Sequence, residues 1–282
     1  KKLVYYPLKV SQRESKKDTL IMSRHNALEK FGRSGNPTLN AGTFSEAAGG
    51  TSENARSMRT MTLEGTVNRT AILLLLVVLS GTWTWNLFFQ SGNSATVMPM
   101  MLVGGIGGFI FALITMFKKN WAGLTAPIYA VLQGLFLGGI SAMYEAQFDG
   151  IVIQAVGLTL GTLSSLLLLY KTGVVKPTEN FRLMVTSATM GIGLLYLVSM
   201  VMNMFGSSIG FIHSNGLFGI GFSLFVVAIA ALNLVLDFDF IEQGSEQGAP
   251  KYMEWFGAFS LMVTLIWLYL EMLRLLAKLR SR

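Results

Sequence analysis

The chain has 282 residues, 52% of them hydrophobic and only 13% charged, with a mean hydropathy of +0.52. A soluble domain carries about 25% charged residues, and the net charge of +7 is unevenly placed: residues 1–70 hold 12 Lys/Arg and 6 Asp/Glu, residues 71–282 hold 10 and 9. These proportions exclude a soluble enzyme and a folded nucleic-acid-binding face, and the absence of Cys excludes disulfides and thiolate-ligated metals. What remains is a polytopic membrane protein whose first partner is the lipid bilayer, with no nucleic-acid partner.

Residues 1–70 are rich in Lys, Arg, Ser, Asn and Gly without a sustained apolar period, which predicts a disordered tail. Met22, the first methionine, opens Met-Ser-Arg-His-Asn and reads as a natural start, making residues 1–21 a non-native extension and 22–70 the tail proper. No cleavable signal sequence fits, because the first apolar run begins near residue 71. Between Arg69 and Lys118 no Asp, Glu, Lys or Arg occurs, room for two crossings of roughly 20 residues each, with a turn at Gln90-Ser91-Gly92-Asn93. Further charge-free blocks cover 121–144, 150–170, 183–236 and 255–270; the third is too long for one helix and is broken by Gly206-Ser207-Ser208 and His213-Ser214-Asn215-Gly216. Seven spans result, at 71–89, 97–117, 122–143, 150–170, 183–205, 216–238 and 255–277, forming one transmembrane domain over 71–282. Spanning segments must satisfy their own backbone hydrogen bonds, and two-residue alternation is absent, so the fold class is all-α, a seven-helix bundle.

Loop charge orients the bundle, since Lys and Arg concentrate on the cytoplasmic side. The tail, Lys118 and Lys119, then Lys171, Lys176 and Arg182, and finally Lys251 fall on one side, and the first, third and fifth loops carry no Lys or Arg. The N-terminus is therefore expected in the cytoplasm. Seven crossings put the C-terminus opposite, where Arg274, Lys278, Arg280 and Arg282 conflict with the rule; full spans are still expected because every apolar block is long enough.

Ionisable groups within a span are costly and thus functional candidates. Asp237, Asp239 and Glu242 close the sixth span, Glu246 and Glu254 follow, and Asn233 precedes Asp237 by four residues on the same helix face. They read either as a water-exposed helix end or as a carboxylate site facing the bundle, sensitive to protons or cations. Glu271 and Arg274, three apart, read either as an interfacial ion pair with Arg274 snorkelling or as a latch that gates a pathway. Glycines four apart (Gly104 and Gly108, Gly134 and Gly138) point to close helix packing. No phosphate loop and no His-Glu-x-x-His occurs, so no cofactor is expected. Gly206-Ser207-Ser208-Ile209-Gly210 matches Gly-x-Ser-x-Gly with His213 nearby, but lacks the strand-to-helix turn that gives the string meaning.

The strings Gly35-Asn36-Pro37-Thr38-Leu39-Asn40-Ala41-Gly42-Thr43-Phe44 and Met61-Thr62-Leu63-Glu64-Gly65-Thr66-Val67-Asn68-Arg69-Thr70-Ala71, with the ending over 252–279, resemble bacterial Bax inhibitor-1/YccA-family membrane proteins of the subgroup with a long N-terminal tail. The likeness covers roughly 22–282. It implies six helices around a central seventh without a catalytic centre, a multi-pass protein of the bacterial inner membrane, and an association with calcium leak, pH sensitivity and stress or cell-death control. In the YccA branch it implies modulation of a membrane-bound AAA protease. It also implies a pH-sensing pair of aspartates. Leu236-Asp237-Phe238 matches the string that carries the first, whereas a gapless match of Ala258 and Arg274 puts the second at Thr264, so the paired carboxylate is not reproduced. Glu271 lies seven residues later, two turns down the same face.

Three functions follow as expectations. The first is a pH-sensitive cation pathway, with calcium or protons as the ion, because hard cations take carboxylate oxygens; its candidates are Asn233, Asp237, Asp239, Glu242, Thr264 and Glu271. The second is a non-transporting regulator that binds another membrane protein through its tail or its acidic sixth loop. The third, resting on Ser208 and His213 alone, is an intramembrane serine hydrolase.

Overall fold

The computed structural model describes residues 60–206 and 216–281. The expectations for residues 1–59, and those for Ser208 and His213, lie outside the described residues. Among the described residues, seven helices are long and apolar enough to cross a membrane: α1 Leu63–Ser91, α2 Ser94–Phe117, α3 Ala122–Gln147, α4 Ile151–Lys171, α5 Glu179–Met204, α6 Leu217–Glu246 and α7 Met253–Arg280, with a 3₁₀ turn at Lys119–Trp121 ahead of α3.

The helices outrun the charge-free stretches, and polar caps fix several of their ends. α1 begins at Leu63 rather than near residue 71, because the Thr62 side chain accepts the Gly65 N–H at 3.0 Å and supplies the N-cap. Residues 60–70 are therefore strap and helix, not tail. Met61 is 2% exposed, its N–H donates to the Ala249 carbonyl at 2.6 Å, and Thr60 bridges to Pro250, so the chain enters α1 strapped across the connection between α6 and α7. α6 continues past the expected end at 238 to Glu246 because Asp239 and Gln243, four apart, bond one another on its flank at 2.8 Å. The turn between α1 and α2 needs two residues only: Gly92, in the left-handed region at φ 61°, closes α1, and the Asn93 side chain caps α2 by accepting the Ala95 N–H at 2.9 Å. Glu145 performs the same service for α4, accepting the N–H groups of Gly150 and Val152 at 2.6 and 3.0 Å.

Short connections make successive helices run in opposite directions. One end of the bundle, here called proximal, holds the start of α1 and the connections α2–α3, α4–α5 and α6–α7; the distal end holds the others. α7 lies at the centre: 78% of its most apolar window is buried inside the bundle, against 17% for α1, α2 and α4. It packs on α1, α3, α4 and α6. Phe256, Phe259, Met262, Leu268 and Leu273 are fully buried along it. Small residues set the closest approaches, since a side chain on Gly138 of α3 would run into the backbone of Gly81 on α1, and one on Gly104 of α2 into the Leu132 carbonyl of α3.

Three of the cations that conflicted with seven crossings meet acceptors of the protein itself. Lys278, 5% exposed, donates to the Gly219 carbonyl at 3.0 Å and to Ser223 Oγ at 2.8 Å. Arg280 donates to the Asp149 carbonyl at 2.6 Å and to Gln154 Oε1 at 2.9 Å, and Arg274 is ion-paired with Glu271. Arg274 and Lys278 are thus held within the bundle by the protein's own acceptors, while Arg280 stays exposed at its distal end.

Candidate functional site

Polar residues of α5, α6 and α7 face one another at three depths. Nearest the proximal end, Arg182 of α5 pairs with Asp239 of α6 at 2.7 Å, and Gln243 donates to the same carboxylate oxygen. On another side of α6, the Tyr170 hydroxyl of α4 donates to Glu242. Asp237 and Asp239 are separated by about 200° around the helix, which is why Asp239 meets α5 while Asp237 turns to α7.

Asp237 is fully buried, nine residues inside the C-terminal end of α6, about 13 Å along the axis. The Thr264 hydroxyl of α7, 2% exposed, donates to its Oδ2 at 2.6 Å. The residue that stands where the resemblance puts a second aspartate therefore does meet Asp237, as a neutral donor in place of a second charge. One turn earlier on α6, the Asn233 amide donates to Thr189 Oγ1 of α5 at 2.7 Å and to the Ile229 carbonyl at 2.9 Å. Its Oδ1, and Oγ1 of Thr186 on the same α5 face, are buried without a hydrogen-bond partner. A buried oxygen left without a donor is uncommon and calls for water or a cation beside it.

Glu271 lies nine residues inside the distal end of α7 and is 1% exposed. Arg274 donates to both of its oxygens, at 2.8 and 2.9 Å. Tyr196 of α5 completes the group: its hydroxyl donates to Glu271 Oε1 at 3.0 Å and accepts from Arg274 at 2.6 Å, and the guanidinium sits over its ring at 5.2 Å. A charged pair satisfied by further hydrogen bonds is the form in which ionised groups persist in a low-dielectric interior. Two turns of α7, about 10 Å, separate Thr264 from Glu271, so Glu271 does not take the place of the missing aspartate beside Asp237.

Sequence reasoning did not find the second carboxylate centre at Glu254. This residue, 0% exposed, accepts from the N–H and hydroxyl of Thr62 at 3.0 and 2.9 Å and from Lys251 at 2.6 Å, and it pairs with Arg69 of α1. Gly65 allows this approach, since a side chain there would collide with the Glu254 carboxylate. The available signal was Arg69, a lone cation at the edge of an apolar run. Four of the five acids from Asp237 to Glu254 thus turn to different partners, Thr264, Arg182, Tyr170 and Arg69, and no group of three or more His, Cys, Asp or Glu that could hold a metal occurs among the described residues.

Seven helices long and apolar enough to cross a membrane among the described residues, the last of them central, with buried charge matched between helices, define a polytopic membrane protein. The chain belongs to the Bax inhibitor family: the family model described as Bax inhibitor 1 like matches residues 33–281. No curated protein and no solved structure matches the chain.

Proposed function

We propose that this Bax inhibitor-like protein is a pH-sensitive cation leak pathway, with calcium as the preferred ion, in a bacterial inner membrane with its N-terminus in the cytoplasm. The observation that carries the reading is the carboxylate of Asp237, buried within the apolar domain one helical turn after Asn233, whose Oδ1 is buried without a partner as is Oγ1 of Thr186 on α5. Carboxylate, amide and hydroxyl oxygens are the donor set that hard cations accept, and an ionisable group at such depth is a functional candidate by default. Arg274, bonded by Glu271 of α7 and Tyr196 of α5, is the gate of this reading at the distal end. Ionised Asp237 attracts a cation and protonated Asp237 does not, so the leak falls as the pH falls through its titration. Flux of calcium into indicator-loaded vesicles, compared with chloride flux and with protein-free vesicles, tests the reading. Calcium entry that requires the protein supports it, and entry no faster than in protein-free vesicles at any pH contradicts it.

A further inference from the structure

A cavity of about 550 Å³ lies between α1, α3, α4 and α7, on the other side of α7 from the Glu271 pair. Ser141 of α3 with Leu265 and Tyr269 of α7 form its back wall, while α1 and α4, which flank it, make no extended contact with one another. The gap between them opens sideways. Val78 on the α1 flank is 60% exposed and Leu160 on the α4 flank 45%, so the cavity wall continues into the surface that faces hydrocarbon. Along α1 the lining runs from Leu74 to Asn86, about 18 Å at the helical rise, close to the ~15 Å of half a hydrocarbon core. Asn86 lies five residues from the distal end of α1. The cavity therefore opens toward the distal leaflet near Asn86 and reaches inward just past the middle of α1.

Its chemistry is graded in the same direction. The inner end is apolar, Thr82 and Asn86 stand at the distal mouth, and no Asp, Glu, Lys or Arg lines any part of it. An apolar void of this size costs its walls their dispersion contacts, and the phase in lateral contact with it supplies methylene groups rather than water. A free fatty acid would bring a carboxylate to a mouth with no cation to receive it. A phospholipid brings neutral ester carbonyls, which the Asn86 amide and the Thr82 hydroxyl are able to donate to.

We propose that this cavity binds one acyl chain of a distal-leaflet phospholipid, its ester group at Asn86 and Thr82 and its methylenes against Leu265 and Tyr269 of the central helix. The Ser141 and Tyr269 hydroxyls, 2.6 Å apart, bond one another and so line the chain without an unmet polar demand. The proposal rests on the membrane fold alone and not on the cation reading.

The full chain is reconstituted in phosphatidylcholine vesicles containing a trace of phosphatidylcholine with a photoreactive diazirine at mid-chain, then irradiated and mapped by peptide mass spectrometry. The expected result is labelling of the buried Leu265–Tyr269 stretch in addition to outward residues such as Ile153, which is 71% exposed and does not line the cavity. Leu160→Trp fills the space from the flank, so labelling of α7 is lost while labelling of Ile153 is unchanged. Val78→Trp, from the opposite flank, repeats the test should the first variant not be monodisperse. Labelling confined to outward residues, α7 labelling that neither tryptophan reduces, loss of labelling on adding free palmitate, or loss on dimerisation at raised protein density would each overturn the proposal, the last two by showing a fatty acid or a second copy as the occupant.

Discussion

Replacing Glu254 with Gln isolates the worth of a buried charge that ties the start of α1 to the start of α7. The variant keeps an acceptor for the Thr62 N–H and hydroxyl, so what it removes is the negative partner of Arg69 and Lys251. Lys251 is 40% exposed and contributes little, within the range of about 0–1 kcal/mol for surface pairs. Arg69 is 21% exposed and lies over the Trp255 ring. Breaking a fully buried pair costs about 3–5 kcal/mol, and partial access to water brings the cost for Arg69 to about 2 kcal/mol. The expected total is about 2–3 kcal/mol, rising by about 2 kcal/mol in Glu254→Ala, which also leaves the Thr62 N–H without its acceptor. Pairing Glu254→Gln with Arg69→Met removes the stranded cation and restores about 2 kcal/mol, a coupling that a double-mutant cycle measures. Reversible unfolding in mixed detergent–dodecyl sulfate micelles, followed through Trp255 fluorescence, gives all four values. A Glu254→Gln variant within about 0.5 kcal/mol of wild type, the range of an ordinary surface substitution, would refute the reasoning.

Three further outcomes are expected. Tyr196→Phe removes the hydroxyl shared by Glu271 and Arg274 and raises calcium leak in vesicles with little change in expression; unchanged leak with lowered thermal stability would make the group structural. Gly138→Val forces a side chain into the Gly81 backbone and destabilises the bundle by about 1–3 kcal/mol, read as a lower midpoint in the same micelle titration. Thr264→Asp places a second carboxylate against Asp237; like charges at that distance titrate as a coupled pair, so the pH profile of any leak broadens into two steps, and a profile identical to wild type would mean that position 264 does not act on Asp237.

The seven crossings were legible because a span announces itself by the absence of charge, a local property. Their ends were not, because a helix does not stop where charge begins: Glu64 and Arg69 lie inside α1, and a hydroxyl cap at Thr62 decides where it starts. The site shows the same division. Asn233 and Asp237 share a face by simple periodicity, and Glu271 and Arg274 sit close enough to pair along one helix. Thr264 was placed opposite Asp237 only by resemblance, and the direct bond between them gives that placement a physical form. Arg69 with Glu254, Arg182 with Asp239 and Lys278 with Ser223 join residues far apart in the chain, and no periodicity reports which helix packs on which. The run of acids from Asp237 to Glu254 looked like one cluster because one turn of helix rotates neighbouring side chains toward different partners, something a linear count cannot express.

The central claim is that Asp237 titrates the pathway, and one comparison tests it most directly: calcium flux across a pH series for wild type and Asp237→Asn in vesicles of the same lipid. Below the titration of a single carboxylate its ionised fraction changes about tenfold per pH unit. Wild-type flux is therefore expected to fall with that limiting slope on acidification, and Asp237→Asn to show low flux independent of pH. An Asp237→Asn protein that conducts as wild type does, with the same pH profile, would contradict the account.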